Sequence, residues 1–291
     1  MIIKKKIAVF MLKKISFVFS FLLLLSCQNF GQLKILADLP KDLKEVSGTE
    51  IVAKSDLIWM INDGGNKPEL FGLNEKGEII KEIYIKAKNH DWEDLTSDAK
   101  GTIYIGDFGN NVNRRKNLSI IIVEHKELDE KNAEVDKIEF EYPNQHKFPP
   151  KKKNRFFDTE SFFYFKGSLY LFTKSRVKHQ YGKTTMYKIP AKKGEYTAEI
   201  VDEFDNGSDL ECWITSADIS NDGKKVALLS QKHVLIFTDF KDDNFLSGKV
   251  QKIELTHRSQ KESITFKDNN TLLITDEKAH GTGGNLYELK I

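Results

Sequence analysis

Four pairs of positions fourteen residues apart punctuate the chain: Glu93 with Asp107, Glu160 with Lys174, Ala217 with Gln231, and Glu262 with Asp276. Three of the four are charged at both positions, and Asp63 ends a fifth copy of the pentapeptide that closes each interval. Carboxylates gathered in one place repel one another unless a cation or hydrogen-bond donors neutralise them. An irregular all-oxygen donor set suits a hard divalent cation such as Ca²⁺ better than Zn²⁺, which favours nitrogen and sulfur. The expected metal ligands are therefore Glu93, Asp107, Glu160, Glu262 and Asp276, and the expected ligand-binding residues around them are Asp63, His90, Asp91, Arg115 and Lys174. Lys174 has a competing use, as an ion-pair partner for Glu160 or a contact for an anionic group, with Arg115 and Arg176 adding to it. Two plainer readings stand beside the metal: strand-end acids that accept backbone amides of the neighbouring repeat, and simple solvated charge.

Other chemistry is thinly represented. None of the seven histidines forms a His-x-x-x-His pair, no Gly-x-Ser-x-Gly is present, and Gly281-Thr282-Gly283-Gly284 matches no phosphate loop. His90 is the histidine adjacent to the acids, and a supporting role is favoured there over that of general base. Cys212, within Leu210-Glu211-Cys212-Trp213-Ile214, reads as a small buried apolar side chain. No nucleophile–base pair can be named, and no organic cofactor is expected.

The elements that must position these acids repeat as well. Each pentapeptide has three apolar positions, then a small or polar one, then a polar one, as in Ile103-Tyr104-Ile105-Gly106-Asp107 and Leu272-Leu273-Ile274-Thr275-Asp276. Midway through each interval lies a turn signal, such as Asp98-Ala99-Lys100-Gly101 or Asn221-Asp222-Gly223, so each interval reads as a β-hairpin. A hairpin runs out and back, which places the acids of all copies on one rim. Asp63, Asp107, Lys174, Gln231 and Asp276 are spaced by 44, 67, 57 and 45 residues, the shorter values matching four-stranded propeller blades. The longest interval holds a loop insertion from Asn144 to Arg155.

The expected fold is all-β, a five-bladed β-propeller of four-stranded antiparallel blades. Tyr196–Val201 is expected as an outer strand beside Thr185–Ile189. The last blade has only Leu286–Ile291 after its hairpin, so the stretch with Leu33, Ile35, Ala37 and Leu39 in alternation is expected to supply its outer strand and close the ring.

His90-Asp91-Trp92-Glu93-Asp94, Gly106-Asp107-Phe108-Gly109-Asn110-Asn111 with Arg115, Phe157-Asp158-Thr159-Glu160, and Ala217-Asp218-Ile219-Ser220-Asn221-Asp222-Gly223-Lys224 carry a family likeness. Together they resemble the secreted bacterial β-propellers grouped near SdiA-regulated and esterase-like phytase domains, and the likeness spans residues 43–291. The Ser-x-Asp-Gly-Lys hairpin also resembles the WD40-like repeat of periplasmic propellers. Many members of these groups have no established activity, so the resemblance implies fold more than reaction.

Composition and the N-terminus bound the partners. The chain has 291 residues, with 45 Lys and Arg against 43 Asp and Glu. Five of those lysines fall within residues 1–26, which hold no acid, and without them the remainder is mildly acidic. A nucleic-acid binder is disfavoured on that ground. A lysine-rich start, the apolar run from Ile15 to Leu25, and Leu24-Leu25-Ser26-Cys27 resemble a bacterial lipoprotein signal cut before a lipidated cysteine. The expected organisation is a signal peptide over 1–26, a lipidated tether over 27–31 beginning at Cys27, and one propeller over 32–291. That places the protein on the outer membrane through its N-terminal lipid, facing the periplasm, with the cell surface as the other location. Two functions remain open: a module that binds a polar ligand, glycan or protein, with a divalent cation at the axial rim, or a metal-assisted hydrolase of an ester, lactone or phosphoester.

Overall fold

The computed structural model describes residues 31–279 and 281–291. The expectations for residues 1–26, Cys27 and the rest of the tether up to residue 30 lie outside the described residues. Among the described residues, no helix is long and apolar enough to cross a membrane.

Five sheets follow one another along the chain as five blades. Their innermost strands are Val46–Ile51, Trp92–Ser97, Thr159–Phe165, Ser216–Ile219 and Lys261–Asp268. Each pairs antiparallel with the strand that follows it, through the turns legible in the sequence. In the second blade Asp98 Oδ1 accepts the amides of Lys100 and Thr102, both at 2.9 Å, which is why an aspartate begins that turn.

The strands form because alternate apolar residues have two neighbouring blades to pack against. Five buried clusters result, one in each cleft between adjacent blades. Ile103 and Ile105 join Trp59 and Ile61 between the first and second blades, whereas Tyr104, between them in sequence, packs with Phe162 and Leu171 of the third.

The four antiparallel strands of every blade are present, and two blades gain a short fifth strand. Asn132–Ala133 runs parallel to Ile79–Ile85 at the edge of the first blade, and Gly194–Thr197 runs parallel to Asp136–Glu141 at the edge of the second. The expected strand Tyr196–Val201 is thereby split, since Glu199–Asp205 forms the outer strand of the third blade. Gly194 has φ +154°, which lets the chain turn from one blade to its neighbour.

Closure occurs as expected: Lys34–Asp38 pairs antiparallel with Asn285–Lys290 and becomes the outer strand of the fifth blade. The strict alternation does not survive, because the register shifts between Ile35 and Ala37. Leu33 and Ala37 are buried, while Ile35 is 38% exposed.

Candidate functional site

The acids reach the axial rim through a recurring irregularity. In the second blade Trp92 faces Asp107 and Asp94 faces Gly106, so Glu93 has no partner in the ladder. Glu160 is passed over in the same way in the third blade, and Glu262 in the fifth. A bulged residue leaves the pleat and re-aims its side chain. The fourth blade pairs regularly at Ser216 and Ala217, so the position where the acidic series breaks is also the one without a bulge.

Glu93 meets Asp63 and Asp91 there, one carboxylate oxygen from each lying within 4.8 Å of the other two. Burial and the charges of Glu160, Asp63 and Asp91 push the Glu93 carboxyl well above the usual range. Burial also raises Asp91, and it raises Asp63 to about 7 with help from Asp91 and Glu160. Two glycines make the convergence possible. A Cβ on Gly109 would lie 2.1 Å from Glu93 Oε1, and one on Gly64 would lie 2.6 Å from Asp91 Oδ1.

Beside this triad is a compensated cluster. Lys174 Nζ donates to Glu160 Oε2 at 2.8 Å, and Arg176 donates to Glu160 Oε1 at 2.9 Å and to Asp158. Burial works against ionised Glu160, yet Lys174 and Arg176 together hold its carboxyl below the ordinary range. Trp213 underlies both cations, its ring centroid 5.1 Å from Lys174 Nζ and 4.9 Å from the Arg176 guanidinium carbon. Burial raises Glu262 to about 7, Lys174 opposing and Glu160 reinforcing, and burial likewise brings Glu277 to about 7.

Two of the expected metal ligands are directed elsewhere. Asp107 is held by His90 Nδ1 at 2.7 Å and by Arg115 at 2.9 Å, and Arg115 also donates to the Gly109 carbonyl at 2.8 Å. Asp276 accepts the Tyr287 hydroxyl at 2.8 Å and the Asn285 amide at 2.9 Å. Both stand at paired positions of the ladder, opposite Trp92 and Lys261, so the fourteen-residue spacing joins bulged and paired residues that point differently. The structure thus groups Asp63, Asp91 and Glu93 in one triad, Glu160 and Lys174 in an ion-pair cluster with Glu262 close by, and His90 and Arg115 around Asp107.

Trp213, Asp158 and Arg176 contribute more than their sequence positions suggested. Trp213 sits in a segment with no repeat signal, and the one available clue was an aromatic beside Glu211 and Cys212.

Three carboxylate oxygens within 4.8 Å of one another fit a hard cation, since ligands at about 2.3–2.6 Å from one Ca²⁺ lie at most about 5 Å apart. Backbone carbonyls and water would complete the shell.

No family model and no curated protein sequence matches this chain. Solved structures similar to it include the β-propeller domain of Myceliophteria thermophila Cps50 (Swd1), 9% identical over 89% of this chain and 99% of that one, with a TM-score of 0.47. A catalytically inactive virginiamycin B lyase from Staphylococcus aureus with quinupristin is 12% identical, over 87% of this chain and 68% of that one, with a TM-score of 0.43. A gluconolactonase-like protein is 11% identical, over 85% and 74%, with a TM-score of 0.47. At such identities the likeness concerns fold and carries nothing about chemistry.

Proposed function

We propose that this chain is a lipid-anchored extracytoplasmic binding module, related to the SdiA-regulated and phytase-like propellers, whose axial rim takes a divalent cation between Asp63, Asp91 and Glu93. The observation that carries the reading is the triad itself: three buried or half-buried carboxyls with raised proton affinity and no lysine or arginine paired to them among the described residues. Such a group is costly when ionised, and a cation such as Ca²⁺ relieves that cost. His90, Arg115 and Lys174 border the site and would contact a polar ligand, glycan or protein partner. Calorimetric titration of the chelator-treated protein with Ca²⁺ and Mg²⁺ tests the site: saturable binding that disappears in Asp91→Asn supports it, and an absence of heat with either ion overturns it. Cys27 is the proposed point of lipid attachment, and membrane fractionation of Cys27→Ala is its test. Retention on membranes equal to the unaltered chain would count against it.

The alternative of a metal-assisted hydrolase rests on one contact. If His90 Nδ1 carries the proton shared with Asp107, its Nε2 is left as an acceptor, the arrangement of an oriented base, on the residue next to Asp91. Chelator-sensitive hydrolysis of esters, lactones or phosphoesters that is lost in His90→Gln would favour that reading over simple binding.

A further inference from the structure

The opposite mouth of the channel, at the turn end of the inner hairpins, holds a cavity of about 710 Å³ unrelated to the rim just described. Its floor is a hydrogen-bond chain crossing four blades. Ser97 Oγ of the second blade donates to Glu50 Oε1 of the first at 2.7 Å. Thr265 Oγ1 of the fifth blade lies 3.2 Å from Glu50 Oε2 and 3.1 Å from Asp218 Oδ2 of the fourth.

One hydroxyl has one hydrogen, so Thr265 cannot donate to both carboxylates. The second contact requires a proton on a carboxyl, which then donates to the Thr265 oxygen. Burial raises Asp218 to about 7, but it accepts the amides of Ile219 at 2.7 Å and Phe266 at 2.6 Å, which favour its charged form, so of the two acids Glu50 holds the proton more firmly. Burial and the Asp218 charge act in the same direction, raising the Glu50 carboxyl well above the ordinary range. Above about pH 7 the pair therefore keeps one negative charge and one displaceable proton inside the cavity. Among the described residues no lysine, arginine or histidine forms an ion pair with either acid.

The walls supply the other half of the chemistry. Phe165 and Phe266 line the cavity, and among the described residues the charged groups lining it are Glu50, Asp98, Asp218, Asp222 and one cation, Lys166. Lys166 shows what the wall accepts: its ammonium stands 4.8 Å from the Phe165 ring centroid. The volume lies within the usual range of small-molecule sites. We propose that this cavity binds a small organic cation, a primary amine or guanidinium with an apolar body, its head on the Glu50–Asp218 pair and its body against Phe165 and Phe266. Seating the head displaces the Glu50 proton to solvent, leaving two carboxylates facing the ligand cation.

The test is isothermal titration of the full-length protein with tyramine and agmatine, in two neutral buffers of different ionisation enthalpy. Expected are saturable binding of at least one amine and a buffer dependence showing proton release. Glu50→Gln copies the protonated side chain and should keep the fold, yet weaken binding about tenfold and abolish the release. Lys166→Ala, on the exposed rim, should tighten binding about threefold by removing the competing ammonium. The proposal is overturned if neither amine binds at millimolar concentration. It is equally overturned if Glu50→Gln binds as well as the unaltered protein, or if 4-ethylphenol, which lacks the amine, binds as tightly as tyramine.

Discussion

Asp158, at the start of the third blade, accepts the backbone amide of Asn110 in the second at 2.6 Å. The same device recurs round the ring: Asp218 takes the Phe266 amide, Ser216 the Ile264 amide at 3.1 Å, and Thr96 the Tyr164 amide at 3.1 Å. Inner strands expose an unpaired edge to the channel, and side chains of the adjacent blade satisfy part of it. Some acids of the channel are thus clasps between blades, while others form the triad.

Asp158→Asn should separate these roles. Burial and the Glu160 charge raise the Asp158 carboxyl to about 8, so near neutrality the loss is mainly one of hydrogen bonding: Asn110 keeps an acceptor, but the new amide confronts Arg176 donor to donor. Arg176 keeps its bond to Glu160, and we expect a loss of about 1–3 kcal/mol in urea unfolding.

Asp276→Ala should destabilise by about 1–3 kcal/mol, because the Asn285 amide loses its side-chain acceptor and the Tyr287 hydroxyl one of its partners. Calcium binding should be unchanged, and a lost calcium response would return Asp276 to the ligand set.

Glu93→Gln should do the reverse. Removing one member of a crowded like-charge group should leave the metal-free protein as stable or more so, while the cation response vanishes. In the unaltered protein, Ca²⁺ at about 100 times its dissociation constant should add about 2.7 kcal/mol. That corresponds to a rise in melting temperature of roughly 5–10 °C for a chain of this size.

The pH profile follows from the same groups. Asp63, Glu262 and Glu277 are each raised to about 7, so between roughly pH 4 and 7 the folded protein binds more protons than the unfolded chain. Stability should therefore fall as pH rises through that window. His233 and His257, lowered by burial, act in the opposite sense near their unfolded pKa, but they are fewer. In chelator the melting temperature should be lower near pH 8 than near pH 5, and Ca²⁺ should restore more of it near pH 8.

Ring closure gives a paired comparison. Leu33→Asp places a charge among Ile253, Leu255 and Tyr287 and should cost about 3 kcal/mol or more. Ile35→Asp, on the exposed face, should change stability by less than about 0.5 kcal/mol. Equal effects would contradict the register shift between Ile35 and Ala37.

The architecture was legible because it depends on period and spacing. Turn signals and apolar triplets recur whatever the side chains do afterwards, and the lone strand after the last hairpin demanded a partner from the other end. Side-chain direction was less legible. Glu93 and Asp107 look equivalent by interval, yet a bulge turns one to the triad while pairing keeps the other beside Arg115. A bulge is set by cross-strand register, which a single strand's sequence does not show. The Glu50–Thr265–Asp218 chain joins residues from three blades, and no local pattern could announce it.

The strand at Lys34–Asp38 leaves the ribosome roughly 250 residues before its partner at Asn285–Lys290, about the whole length of the ring between them. Until that partner is made the blades form an open arc with two raw sheet edges, vulnerable to pairing with another copy. The strand Asn285–Lys290 acts as a latch: without it, Lys34–Asp38 has no strand to dock against and the ring stays open.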